Sequence, residues 1–237
     1  MRILILGAGP AGPEHDPPVW LAEQGRELLL ERMARVLAPL RGGLVFAVRA
    51  QDIRRYRLDS VVQLAAPGAA LVPVHGNTAG AACTALLCID HIDPEAELLI
   101  LAGNELLDID YAVAVQGFRD RALDAGVVVF PSLHPRYSYV RLDEQGLIEE
   151  AAEKNPISRH AAAGFTWFRR GGDFLEAARA MIRKEAQHDG AFFISLTLNE
   201  MVLAQKRMGV HEIEARRYLP LKSPRQVAAY EAEGEVP

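Results

Sequence analysis

Short apolar runs that end in glycine or proline alternate along this chain with longer stretches in which apolar residues return every three or four positions. Residues 3–6 (ILIL) are four apolar positions followed by glycine, the pattern of a buried strand. Residues 27–38 (ELLLERMARVLA) carry helical spacing and stop before Pro39. A second strand is predicted over 44–48, a short polar helix over 52–57, and further short strands over 61–64 and 70–74. Residues 78–89 (TAGAACTALLCI) are small, with good helix propensity and a Thr near the start. Residues 97–102 (ELLILA) and 125–131 (AGVVVFP) are nearly continuous apolar runs, as expected at the centre of a parallel sheet, with a helix over 111–125 between them.

From about Ser138 the pattern changes. Residues 139–142 and 147–152 flank Asp143-Glu144-Gln145-Gly146 and predict a hairpin. A strand over 163–168, an amphipathic helix over 173–187, a second helix over 195–205 and a closing strand over 210–215 complete the chain. This order predicts an α/β fold with three layers, α/β/α, around a mixed, mainly parallel central sheet. No composition break marks a linker and no repeat is visible. Residues 1–230 are therefore expected to form one domain, and 231–237 (EAEGEVP) a frayed tail.

Composition narrows the function classes. Of 237 residues, 50% are hydrophobic and 24% charged, and the net charge of −5 offers no basic stripe for a nucleic-acid backbone. No apolar run approaches the ~18–20 residues that span a bilayer, so no membrane insertion is expected. The opening apolar run is too short for a signal peptide. Cys83 and Cys88 share one apolar stretch, which argues against a disulfide framework or a zinc site. A cytoplasmic location follows as the expectation.

The first strand runs into Gly7-Ala8-Gly9-Pro10-Ala11-Gly12, a G-x-G-x-x-G pattern that reads as a flavin or nicotinamide dinucleotide site. Two context tests fail. Pro13, Pro17 and Pro18 follow at once and cannot build the helix that would aim its N–H groups at a pyrophosphate. The acidic residue expected at the end of a second strand is represented only by Glu31, inside a helical stretch that precedes that strand. An oxidoreductase is thus disfavoured. A ligand-free turn and a phosphate loop of another fold, built as a nest of backbone N–H groups, remain open.

Seven segments in order resemble the sugar-1-phosphate nucleotidyltransferase superfamily, the nucleotide-diphospho-sugar transferase-like proteins of the GT-A type. Residues 3–9 are similar to its strand and loop L-A-x-G-x-G. Trp20-Leu21 and residues 28–36 are similar to the entry into its first helix. Asn77-Thr78-Ala79-Gly80-Ala81 resembles its small-residue base contact, and residues 99–105, ending Gly103-Asn104-Glu105, its strand ending in Gly-Asp. Pro135-Arg136-Tyr137-Ser138-Tyr139-Val140 is similar to P-x-x-Y-G-x-V, Glu153-Lys154 to E-K-P, and Gly164-Phe165-Thr166-Trp167 to G-x-Y-x-F.

The resemblance implies an enzyme that joins a nucleoside triphosphate to a sugar phosphate and releases pyrophosphate, in surface-polysaccharide or sugar-nucleotide metabolism, with Mg²⁺ as cofactor. It implies nucleotide contacts at Leu6, Gly7, Ala8, Gly9, Thr78, Gly80 and Gly103. Tyr137, Glu153, Lys154 and Gly164 fall at the sugar-phosphate contacts, and Lys154 and Asn104 at the catalytic positions. Phosphoryl transfer needs such a set: groups on the triphosphate, a metal carboxylate, and a cation on the attacking phosphate.

The departures fall on the chemistry. No Arg or Lys occurs between Gly9 and Arg26, where the family grips triphosphate. Asn104 replaces the metal-binding Asp, and an amide binds Mg²⁺ weakly. The late Asp falls on Pro220. Glu105, Asp108 and Asp110 are candidate substitutes for the metal ligands. Two alternatives therefore stand beside turnover: a relative that binds nucleotide or nucleotide-sugar without reacting, and a glycosyltransferase in which Asp108-Ile109-Asp110 is a metal-binding D-x-D. That tripeptide also reads as a cap for the helix predicted near Tyr111. His134 and Arg136 lie in a loop after a central strand, where ligands sit in open α/β sheets. Lys222, Ser223 and Arg225 form a second candidate anion patch.

Overall fold

The computed structural model describes residues 1–9 and 17–233. Residues 10–16, with Gly12 and most of the proline stretch, and 234–237 of the tail lie outside the described residues. In chain order the elements are β1 (Arg2–Leu6), β2 (Glu23–Gln24), β3 (Glu27–Leu28), α1 (Leu29–Leu37), β4 (Gly43–Arg49), α2 (Ala50–Tyr56), α3 (Leu58–Ala65), β5 (Ala70–Val74), α4 (Ala81–Leu86), β6 (Leu98–Ala102) and β7 (Glu105–Leu107). They continue with α5 (Tyr111–Asp120), β8 (Ala125–Pro131), β9 (Ser138–Leu142), β10 (Ile148–Glu153), β11 (His160–Phe168), α6 (Gly171–Arg183), α7 (Ile194–Leu203), β12 (Met208–Glu212), β13 (Tyr218–Pro220) and α8 (Pro224–Ala232).

Strand alternation accounts for the three layers. Ile3 and Ile5 of β1, Phe46 and Val48 of β4, and Leu99 and Leu101 of β6 face a core shared with α1, α3, α5 and α8. Leu4, Val45, Ala47, Leu98 and Ile100 face the opposite core, with α4, α6 and α7. β5, β4, β1 and β6 lie side by side and parallel, so their carboxyl ends share one edge. The chain builds outward from β1 to β4 and β5, then returns to β6 on the other side. This makes β1 the switch point at which an open α/β sheet forms a crevice.

β11 continues the sheet in the antiparallel sense and changes partner along its length. His160 and Ala161 pair with β9, whereas residues 165–168 pair with β6, across an irregularity between Ala162 and Thr166. The expected hairpin is the antiparallel pair β9 and β10.

Some local expectations are corrected. Residues 61–64 are not a strand but part of α3, because Leu58 and Val62, four positions apart, are buried while Leu64 is 84% exposed. The helix expected over 78–89 is confined to Ala81–Leu86. The last strand of the main sheet is Met208–Glu212, shifted toward the N-terminus from 210–215, where Ala215–Arg217 instead makes a 3₁₀ turn. β13 and α8 were not anticipated, although Ser223 caps α8 by accepting from the Gln226 N–H at 3.3 Å and Pro224 opens it. No helix among the described residues is long and apolar enough to cross a membrane.

Candidate functional site

At the switch point the carboxyl ends of β1 and β6 are joined directly. Gly103 N–H donates to the Leu6 carbonyl at 2.8 Å, and Gly7 N–H donates to the Ala47 carbonyl at the end of β4 at 2.9 Å. Trp20 explains why both positions are glycine. Its indole is 2% exposed, and a Cβ on Gly7 would overlap it. A Cβ on Gly103 would lie 2.9 Å from the Leu6 carbonyl oxygen and 3.0 Å from the same ring. Trp20 also packs on Phe46, with ring centroids 5.2 Å apart. Leu6 and Ala8 are half-buried against the opposite core, while Gly9 is exposed, with nothing among the described residues within 4 Å of where a Cβ would stand. Leu6, Gly7, Ala8, Gly9 and Gly103 thus converge. Thr78 and Gly80 lie on the same edge, in the loop after β5, two strands away from β1. Thr78 Oγ1 shares a 2.7 Å hydrogen bond with Thr84 Oγ1. Gly80 is pressed against the Phe192 backbone, which donates to the Ala79 carbonyl at 2.8 Å and accepts from Ala82 N–H at 3.0 Å.

The antiparallel half contributes side chains. Glu153, the last residue of β10, is 6% exposed, and Ser138 Oγ and Ser195 Oγ (3.0 Å) both donate to its Oε2. Ser195 lies in the first turn of α7, so the carboxylate also sits near the positive end of that helix. Lys154 follows, with its N–H bonded to the Tyr137 carbonyl at 3.0 Å. Its exposed Nζ lies 3.1 Å from Asp189 Oδ2 and 5.8 Å from the Phe193 ring centroid. The hydrogen bond and charge of Lys154, together with His188, hold the Asp189 carboxyl below its ordinary range. The Tyr137 ring packs edge-on against Phe130 at 5.0 Å and Tyr218 at 5.7 Å, and the Arg136 guanidinium lies 5.7 Å from it. Arg136 and His134 are exposed.

Between the two halves lies a second buried carboxylate, Glu105, 7% exposed. β13 pairs with β7 so that Pro220 stands opposite Glu105, and Leu221 N–H donates to the Asn104 carbonyl at 2.9 Å. This register brings Lys222 Nζ into an ion pair with Glu105 Oε1. The other oxygen, Oε2, faces Gly164, at the irregularity in β11; Gly164 has a φ of +58°, and a Cβ there would lie 2.5 Å from Oε2. The hydroxyl of Tyr218 neighbours this carboxylate, and among the described residues neither Oε2 nor that hydroxyl has a further hydrogen-bond partner. Burial pushes the Glu105 pKa up against the pull of Lys222, and the charge of Glu153 adds to the rise. Burial and the Glu105 charge likewise raise the Tyr218 phenol.

Mg²⁺ takes one or two carboxylates in near-octahedral geometry, and the residues present do not fit it. Asn104 brings a neutral amide. Asp110 Oδ1 is the cap of α5, accepting from Ala112 N–H at 2.8 Å and Val113 N–H at 3.1 Å. Asp108 is exposed, and Glu105 is in its ion pair. Among the described residues no group of three or more His, Cys, Asp or Glu side chains could hold a metal ion.

Of the expected sugar-phosphate contacts, the structure joins Lys154 to Tyr137 through the backbone, sets Glu153 between Ser138 and Ser195, and places Gly164 apart from them, against Glu105. Sequence reasoning named Trp20 and Ser138 only within longer motifs and gave them no role, and it missed Ser195 and Asp189. It also gave Lys222 no partner and took Ser223, the α8 cap, for part of an anion patch. A signal existed only for Ser223, a Ser before Pro at a helix start.

The family model described as Nucleotidyl transferase matches residues 48–209, a span of 162 of the 237 residues. Among solved structures, a nucleoside-diphosphate-sugar pyrophosphorylase from Vibrio cholerae RC9 superposes with a TM-score of 0.78 at 18% identity, covering 98% of this chain and 100% of that one. A candidate glucose-1-phosphate thymidylyltransferase from Bacillus anthracis, in complex with a sucrose, superposes with a TM-score of 0.74 at 17% identity, covering 100% and 96%. No curated protein matches significantly. At such identities the superpositions speak for the fold: three layers around a mixed, mainly parallel sheet.

Proposed function

Because the chain belongs to the nucleotidyl transferase family, we propose that it binds a nucleoside triphosphate and a sugar phosphate, or a similar small phosphate, at the carboxyl edge of its sheet and joins them. A phosphate oxygen of the sugar phosphate attacks the α-phosphorus of the triphosphate, the new phosphoanhydride bond forms, and the bond to pyrophosphate breaks. The observation that carries this reading is the make-up of the sheet's edge. A glycine backbone follows β1, and beyond β6, β11 and β9 the cation of Lys154 follows a pre-set carboxylate, Glu153.

Each group has a role that its surroundings permit. The N–H groups of Ala8 and Gly9 form the phosphate end of the nucleotide contact, Gly7 N–H being held by the Ala47 carbonyl. Lys154 exchanges Asp189 for the phosphate of the sugar phosphate, a charge-assisted bond in place of an exposed ion pair. Arg136, on the rim, adds a second cation. Glu153, oriented by two serine hydroxyls, accepts sugar hydroxyls, and the Tyr137 ring supplies a face for the sugar. Sugar nucleotidyltransferases generally use Mg²⁺, but the donors here do not fit it.

Asn104 favours a second reading, binding without turnover, since it places an amide where the resemblance has a carboxylate. One experiment separates the two. The protein is incubated with each nucleoside triphosphate and a panel of sugar 1-phosphates, with and without Mg²⁺, while pyrophosphate is measured and binding is followed by calorimetry. Pyrophosphate release supports transfer, and binding without release supports the second reading. In both cases Lys154→Ala weakens sugar-phosphate binding about tenfold or more. An unchanged affinity removes Lys154 from the site.

A further inference from the structure

The donor set does not fit a divalent ion, but the C-terminal segment brings a cation of its own to this edge. Pairing of β13 with β7 brings the chain back to the carboxyl end of β6, where Leu221 N–H is fixed on the Asn104 carbonyl at 2.9 Å. The next side chain, Lys222, reaches the buried Glu105, forming an ion pair through Oε1 while its own side chain stays 39% exposed. The ammonium is thus anchored on a buried carboxylate, at the end of a side chain that solvent reaches. It has three N–H donors, and one carboxylate oxygen engages it here.

We propose that Lys222, seated on Glu105, is the resident cation of this site and binds ligand phosphate in the place where a divalent ion would otherwise neutralise it. Four observations on this edge converge on it. The two positions where the resemblance puts metal carboxylates are Asn104 and Pro220, which carry no charge. Glu105, the nearest acid, already has a monovalent partner, and a second cation on the same carboxylate would be repelled by the first. Its remaining oxygen is buried against Gly164, beside the Tyr218 hydroxyl, so it cannot reach out to an ion at the surface of the crevice. Asp110 is committed to the α5 cap. The site therefore holds its positive charge covalently: a point charge that binds phosphate without fixed coordination geometry.

The inference rests on the proposed phosphate-binding function, and the test keeps the two apart. Binding of ATP, CTP, GTP, UTP, dTTP and glucose 1-phosphate is measured by calorimetry, first in EDTA and then in excess Mg²⁺, with the intact protein and three variants. The intact protein is expected to bind at least one of these probes in EDTA, with an affinity that Mg²⁺ changes less than threefold. Lys222→Arg, which keeps the charge and the pair with Glu105, is expected to stay within about fivefold. Lys222→Met is expected to lose tenfold or more, with no recovery in Mg²⁺. Since that variant leaves Glu105 buried and unpaired, the double variant Glu105→Gln/Lys222→Met removes both charges and is expected to fold and show the same loss. Two results overturn the proposal while the phosphate-binding function stands: intact protein that binds only when Mg²⁺ is present, or a folded double variant that binds as the intact protein does. Intact protein that binds none of the probes in either condition overturns the function and the proposal with it.

Discussion

Around β1 and β6 the edge of the sheet is made of backbone and one indole, whereas around β10, β7 and β13 it is made of carboxylates held by side chains from distant parts of the chain. In the first region Gly7 and Gly103 are glycine because Trp20 leaves no room for a Cβ. In the second, Glu153 takes its hydroxyls from residues 138 and 195, and Glu105 its ammonium from residue 222. The first arrangement is steric and owes nothing to charge. The second is electrostatic, so pH and counter-charge must act on it. Perturbations that separate packing from charge therefore test whether the division is real.

The largest effect is expected in the steric half. Trp20→Ala should cost about 3–5 kcal/mol of folding stability by urea unfolding, since a fully buried aromatic leaves a cavity. Gly7→Ala should cost about 1–3 kcal/mol by overpacking. The same change should cost much less in the Trp20→Ala background, where the ring it collides with is gone. Additive costs would show that Trp20 is not what excludes a side chain at position 7. Neither loss should vary with pH between 5 and 8 by more than about 0.5 kcal/mol, because no titrating group is in the contact.

The electrostatic half should behave in the opposite way. The folded-state pKa of Glu105 is raised above its ordinary value of 4.5. The folded protein therefore holds more protons than the unfolded chain as pH climbs from that value toward the raised one, and stability falls across that interval. Glu105→Gln should remove this part of the pH dependence. Lys222→Met should deepen it by removing the charge that opposes the rise, with a loss of about 1–3 kcal/mol at pH 8, discounted because Lys222 is partly exposed. Urea unfolding at pH 5 and pH 8 measures both. Parallel curves for the intact protein and Glu105→Gln would mean that Glu105 does not feel its burial.

The same division marks how far the sequence could be read. Central strands were legible because period and burial coincide: residues 3–6, 44–48, 97–102 and 125–131 are apolar on both faces and lie between two helical layers. Residues 61–64 misled because VVQL has no visible period in isolation; only Leu58, one turn earlier, supplies it. In the site, Glu153-Lys154 and Tyr137 were legible as a local string. Glu105 and Lys222 were not, being 117 positions apart and joined only by the pairing of two three-residue strands, one ending in Pro220. Trp20 was visible as part of a helix entry, but its contact with Gly7 depends on how the chain returns from the proline stretch, which no local pattern records. Short-range chemistry is written in sequence; partners brought by topology are not.

Asn104 lies on the border between the two regions, its carbonyl in the backbone bond from Leu221 and its side chain beside Glu105 in sequence. Asn104→Asp leaves that backbone bond untouched and adds one negative charge, so it should cost less than either change above. With Lys222 as the resident cation, the added carboxylate competes with ligand phosphate for the same positive charge. Binding in EDTA should weaken by about two- to fivefold. Beside the ligand's own phosphate oxygens, this one carboxylate would also be enough to recruit Mg²⁺. Mg²⁺ should then restore the affinity, which calorimetry with and without EDTA measures. A variant as indifferent to Mg²⁺ as the intact protein would place the side chain of residue 104 out of reach of the phosphate, and the border of the electrostatic region would then lie at Glu105 rather than at Asn104.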